Sequence, residues 1–436
     1  MSDQASPERD REWGFRTRAI HAGNIPDPIT GARALPIYQT SAFVFDDAAD
    51  AAARFALQKY GNIYSRLANP TVASFEERIA SLEGGIGAVA TASGLSAEFV
   101  VFAALAGAGD HIVASANLYG GTITQLDVGL RRFGVDTTFV RSAEAADYEA
   151  AITDKTKLIF VETIANPSGE IADLEALAEV AHRHHIPLVV DSTIATPFLC
   201  RPIEWGADIV IHSATKFLGG HGTTLGGVVV ESGRFHWGGE NYPLFEQPTP
   251  AYGGLSWHGN FGEYGFLTRL RAEQLRDYGP SLAPHSAWLL ATGVETLPFR
   301  MQAHVDNARY VAEWLAADDR IEKVYWAGLP DHQHYERAKK YLPLGPSSVF
   351  GFVVKGGRAV GEKLIENVQL ASHLANIGDA KTLIIHPAST THAQLTEQQL
   401  DEAGVLPGLV RFSVGIEDPA DIVADLDQAL TAATKG

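Results

Sequence analysis

Short runs of buried-type β residues recur through the middle of this chain and alternate with helix-patterned segments, a rhythm that confines it to an α/β fold with a mostly parallel sheet. The runs are His111 to Ala114, Leu158 to Glu162, Leu188 to Asp191, Ile209 to His212 and Gly227 to Val230, and a helix is predicted over Asp173 to His184 between two of them. In open sheets of this kind ligands bind beyond the carboxyl ends of the strands. Polar residues that directly follow a strand are therefore the first candidates for function.

The flanking regions differ from this core. Residues 1–70 are rich in Pro, Gly, Asn and Tyr, with helical character predicted only for the alanine-rich piece Ala48 to Leu57, and they read as an arm reaching over another surface. At Asn69-Pro70-Thr71 a polar cap and a first-turn proline open a helix over Val72 to Leu82. A large domain is expected over 71–285, including an ordered aromatic-rich insertion at about 231–283. A smaller α+β domain is expected over 286–436, with one or two long helices across Trp288 to Ala317 and strands at Val349 to Val354, Thr382 to Ile385 and Val410 to Val414.

Composition removes several classes of function. A formal net charge of −18 opposes binding to nucleic acid or to an anionic membrane surface. The one cysteine, Cys200, allows neither an intrachain disulfide nor a thiolate metal cluster. His182, His184 and His185 sit at a predicted helix end with no acid at ligand spacing, so no metal is expected. Met1 to Trp13 is polar and acid-rich, and nowhere do about 18 consecutive apolar residues occur, the length a spanning helix needs. The expectation is a cytoplasmic protein.

The strongest local signal is Ile209-Val210-Ile211-His212-Ser213-Ala214-Thr215-Lys216-Phe217-Leu218-Gly219-Gly220, in which a buried strand runs into two hydroxyls, a lysine and a glycine-rich bend. A lysine amine in surroundings that depress its pKa attacks carbonyls, and the product is how pyridoxal phosphate enzymes carry their cofactor. Standing alone, the segment is better read as a solvated lysine beside a glycine turn, and only the remaining constellation reverses that. Asp191 ends the run Leu188-Val189-Val190, where a buried acid needs a cationic partner such as a protonated pyridine nitrogen; it also suits a helix cap. Thr91-Ala92-Ser93-Gly94-Leu95-Ser96 precedes an apolar helical run, and a helix start binds phosphate through free N–H groups. In Asn117-Leu118-Tyr119-Gly120-Gly121-Thr122 the glycines leave room for the tyrosine ring to lie against a planar cofactor.

Taken in order, these pieces resemble the cystathionine γ-synthase-like enzymes, the Cys/Met-metabolism group of pyridoxal phosphate enzymes with fold type I. The resemblance runs from about Thr17 to Ala432 and also rests on Tyr64-Ser65-Arg66-Leu67-Ala68-Asn69-Pro70, Glu162-Thr163-Ile164-Ala165-Asn166-Pro167 and Val410-Arg411-Phe412-Ser413-Val414-Gly415. It implies that Lys216 carries pyridoxal 5′-phosphate, Asp191 pairs with the pyridine nitrogen and Tyr119 stacks on the ring. Gly94, Leu95, Ser213 and Thr215 would hold the phosphate, joined by Tyr64 and Arg66 from the neighbouring subunit of a homotetramer built from dimers. Asn166 would sit beside the ring oxygen and the substrate, and Arg411 would clamp the substrate carboxylate.

A narrower likeness, to the O-acetylhomoserine sulfhydrylases within that group, lies in Arg276-Asp277-Tyr278-Gly279, Gly293-Val294-Glu295-Thr296-Leu297, Ala375-Asn376-Ile377-Gly378-Asp379 and His386-Pro387-Ala388-Ser389-Thr390-Thr391-His392. The lyases and cystathionine γ-synthases typically have a serine before the glycine where this chain has Asn376, which is implied to meet the substrate. Such enzymes make homocysteine and acetate from O-acetyl-L-homoserine and sulfide. The chain departs from them at Leu95, commonly Gln, and at Tyr252-Gly253-Gly254, commonly Tyr-His-Gly, which leaves the acyl group open. Cystathionine synthesis, γ-elimination, use of O-succinylhomoserine or O-acetylserine, and a silent binding paralogue stand as alternatives.

Overall fold

The computed structural model describes residues 13–166, 168–390 and 406–435; the polar segment before Trp13, Pro167, Thr391, His392 and Gly436 lie outside the described residues. Seven strands form the larger sheet: β1 (Gly87–Thr91), β2 (His111–Ser115), β3 (Asp136–Val140), β4 (Thr156–Glu162), β5 (Leu188–Asp191), β6 (Ile209–His212) and β7 (Gly227–Glu231). Their order is β1-β7-β6-β5-β4-β2-β3. The four pairings from β6 to β3 are parallel, and β7 alone runs against its neighbours, so the sheet is mixed with a parallel centre.

The central strands are apolar on both faces because helices cover both. Val190, Val210 and Val230 enter one core cluster, whereas Val189, Ile209, Ile211 and Val229 enter the other. Burial on both sides explains why these strands read as continuous runs rather than alternations. The helix Pro70–Glu83 opens as its sequence demands, with Asn69 Oδ1 accepting from Thr71 N–H at 3.0 Å and Pro70 at the first turn. In the insertion Trp237 and Phe245 both stack on Phe266, and the three cover the second core.

The long C-terminal helical segment divides into Pro284–Glu295 and Leu297–Ala317, and the first packs on Pro70–Glu83. A second sheet holds β8 (Ile321–Tyr325), β9 (Val349–Val354), β10 (Ser372–His373), β11 (Leu383–Ile385) and β12 (Leu409–Ser413), in the order β10-β11-β12-β9-β8. Its inner face, including Phe350, Phe352, Val410 and Phe412, builds a separate core against the helix Pro419–Thr434. Between these residues Arg411 alternates to the other face, as strand pleating requires. Among the elements that were not expected, Phe15–His21 forms a helix, whose Ala19 is buried in the main core. Its single turn of apolar spacing is too short to register as periodicity.

Candidate active site

Strands β4, β5 and β6 end side by side at Glu162, Asp191 and His212, and the segments that leave them line a cleft of about 210 Å³. Ten of the twelve positions singled out from the sequence meet there: Gly94, Leu95, Tyr119, Asn166, Asp191, Ser213, Thr215, Lys216, Asn376 and Arg411. Tyr64 and Arg66 do not. They lie on the arm, with the Arg66 guanidinium over the Tyr64 ring at 5.4 Å and the tyrosine exposed.

At one end the helix Gly94–Leu105 begins against the loop after β6. Ser93 Oγ caps it by accepting from Ser96 N–H at 3.2 Å, and the first N–H groups of any helix lack partners within it. The absence of a side chain at Gly94 is what lets the two segments touch: a Cβ there would stand 2.6 Å from Ser213 Cβ and 2.9 Å from its Oγ. The loop is held from behind, Ser213 N–H donating to Thr193 Oγ1 at 2.7 Å and Gly226 N–H to Thr215 Oγ1 at 3.0 Å. The result is a pocket of N–H groups and two hydroxyls at the positive end of a helix, suited to a phosphate.

Asp191 lies deeper, with its Oδ1 accepting from Thr193 N–H at 2.8 Å. Burial raises its carboxyl above the ordinary range, opposed by the Thr193 N–H and hydroxyl and by the field of His212. Glu162 stands directly across from it in the parallel register of β4 and β5. Burial and then Asp191 push Glu162 up to about 8. Glu98, from the cradle helix, is driven well above its ordinary value by burial and by Asp191, and its Oε2 has no hydrogen-bond partner. No lysine or arginine pairs with any of the three among the described residues.

On the far side Lys216 donates from Nζ to Asn376 Oδ1, and burial followed by the nearby Arg411 lowers its ammonium to about 8. Arg411 Nη2 donates to the main-chain oxygen of the same Asn376 at 3.3 Å, and among the described residues it has no carboxylate partner. Tyr119 flanks the cleft; Gly121 leaves room for its ring, since a Cβ there would lie 2.4 Å from Tyr119 Cε1. Asn166 Oδ1 is buried without a partner.

These groups fit pyridoxal phosphate. The helix start would take the phosphate, the unpaired acids a cationic ring nitrogen, the Asn166 side-chain NH2 the ring oxygen, and Lys216, its ammonium lowered to about 8, the aldehyde carbon. Sequence reasoning missed roles for Glu162, Glu98 and Thr193. Glu162 was legible in principle, because it closes β4 as Asp191 closes β5. Glu98 was legible as an acid one turn into an otherwise apolar helix.

A mixed α/β sheet with such a cleft beyond its parallel strand ends, a lysine at its mouth and an acid at its floor, defines a pyridoxal phosphate-dependent enzyme. The chain belongs to the Cys/Met metabolism PLP-dependent enzyme family, whose model matches residues 16–431. It is 50% identical over 422 residues to Sulfhydrylase FUB7 of Fusarium oxysporum f. sp. lycopersici, covering 96% of this chain and 98% of that one. It is 46% identical over 429 residues to the O-acetyl-L-homoserine sulfhydrylase of Leptospira meyeri, covering 96% and 97%. A crystal structure from Campylobacter jejuni, described as an O-acetylhomoserine (thiol)-lyase with N′-pyridoxyl-lysine-5′-monophosphate, is 38% identical and superimposes with a TM-score of 0.93 over 96% of this chain and 100% of that one.

Proposed function

We propose that the enzyme makes L-homocysteine and acetate from O-acetyl-L-homoserine and sulfide, a γ-replacement that serves methionine biosynthesis. The observation that carries the choice of reaction is near-full-length identity of 46–47% with bacterial proteins named O-acetyl-L-homoserine sulfhydrylase. The geometry supports an amino-acid substrate: the Arg411 guanidinium, without a carboxylate partner among the described residues, and the Lys216 amine both hydrogen-bond Asn376 in the cleft.

Bound pyridoxal phosphate supplies an electron sink conjugated to the substrate amine. Arg411 holds the substrate carboxylate with a planar fork and so fixes which α-carbon bond faces the sink. Lys216, whose ammonium titrates near 8, takes the α-proton on Nζ and helps move a β-proton, a task that needs a base poised close to working pH. Asn376 holds that amine toward the reacting carbons. The bond from the γ-carbon to acetate oxygen breaks, sulfide bonds to that carbon, and Lys216 returns the protons. Tyr119 would cover one face of the ring, and Ile164, Ile194 and Ile377 keep the walls of the cleft apolar.

The arm completes the site in a dimer, and dimers pair into a homotetramer in the cytoplasm. Val44 and Tyr60 on the arm are 93% and 88% exposed, apolar surface that a partner subunit would cover. Among the described residues no helix is long and apolar enough to cross a membrane. The reading is tested with the Lys216→Ala variant: turnover and the cofactor's visible band are both expected to disappear, and retention of both would refute the assignment of Lys216.

A further inference from the structure

Glu162 has no part in the chemistry above, yet it sits where two functional segments meet. Its Oε1 accepts the main-chain N–H of Tyr119 at 2.6 Å, and the main-chain N–H of Asn166 also reaches its carboxyl. Tyr119 begins the short helix after β2, and Asn166 lies in the loop after β4 itself. One carboxyl thus ties together the two segments that flank a bound ring. A second set of contacts determines its charge. Asp191 is its direct cross-strand neighbour in the β4–β5 register, and like charges so placed repel. Glu98 approaches from the cradle helix with one oxygen on Thr122 Oγ1 at 3.0 Å and the other without a partner. A ring nitrogen brings one positive charge to three carboxyls, and Asp191 takes it.

We propose that Glu162 is a positioning residue that works as an uncharged acid: its carboxyl pins the main chains of Tyr119 and Asn166, and so fixes the two walls between which the cofactor ring would lie. The inference rests on the site reading given above. It assigns a function to the acid without asking it to touch substrate or exchange protons with it. The requirement is geometric reach plus a neutral acceptor. Glutamine satisfies both. Aspartate satisfies neither, being one methylene shorter and more acidic.

The test compares Glu162→Gln and Glu162→Asp in the full-length protein loaded with pyridoxal phosphate, reading the cofactor's induced circular dichroism in the visible and its dissociation constant, with the melting of each apo protein measured alongside. Glu162→Gln is expected to keep the wild-type dichroism and affinity within about twofold. Glu162→Asp is expected to lose most of the dichroism and about tenfold in affinity while its apo form still melts cooperatively, a loss of roughly one hydrogen bond's worth. An impaired glutamine variant would mean that the negative charge matters, and an unimpaired aspartate variant would mean that the reach does not; either overturns the proposal. Absence of any induced band in the wild type would instead overturn the site reading on which it rests.

Discussion

Replacing Gly94 by alanine would drive a methyl group to 2.6 Å from Ser213 Cβ, well inside contact distance, while leaving a helix start whose backbone tolerates alanine. The expected outcome is a folded protein with cofactor affinity weakened at least about tenfold, because the methyl group separates the phosphate-facing segments; equilibrium titration with pyridoxal phosphate checks it. Arg411 makes a different prediction. Lysine keeps the charge at that position but offers a point cation in place of a fork, so Arg411→Lys should raise KM for the amino-acid substrate by about a hundredfold, with cofactor affinity unchanged. Steady-state kinetics beside a cofactor titration separates the two effects. Substrate KM within threefold of wild type would remove Arg411 from the carboxylate site.

The pairing of β4 with β5 places Glu162 and Asp191 shoulder to shoulder, and this element-scale feature has a pH signature. Glu162 is held up at about 8, above its ordinary value near 4.5, so the folded apo protein binds a proton that the unfolded chain releases. Stability from this residue is therefore complete below about pH 4.5, falls as pH rises toward 8, and changes no further above it. Glu162→Gln removes that dependence, so the variant's melting temperature should gain on the wild type between pH 5 and pH 8; a constant difference across that range would contradict the raised carboxyl. Strand ends of this kind were only partly readable in the sequence. Asp191 and Lys216 follow unbroken apolar runs, and such runs announce themselves. The pairing of Glu162 with Asp191 depends on strand order and register, which no local pattern encodes. Strand β1, Gly87–Thr91, was missed because it is small and alanine-rich, and β3, Asp136–Val140, was missed despite its β-favouring Thr137, Thr138, Phe139 and Val140, being a short half-exposed edge strand without a continuous apolar run.

At the scale of the whole molecule, Tyr64 and Arg66 of the arm lie outside the cleft that the rest of the chain lines. The proposal that subunits share sites predicts complementation. Chains carrying Arg66→Ala and chains carrying Lys216→Ala are each expected to be nearly inactive, yet unfolding and refolding them together should restore about a quarter of wild-type activity, since half the random dimers hold one intact site. No recovery would mean that each subunit completes its own site. The arm's proposed place on a neighbouring subunit comes from resemblance alone, because a segment that packs on another chain leaves no pattern tying it to its own. The central claim, that this cleft replaces acetate by sulfide on an amino-acid γ-carbon, is tested most directly by incubating the cofactor-loaded protein with O-acetyl-L-homoserine and measuring acetate, homocysteine and ammonia before and after sulfide is added. Homocysteine and acetate in equal amounts, appearing only with sulfide, is the predicted result; ammonia released from the ester at the same rate without sulfide would contradict it and make the enzyme a lyase.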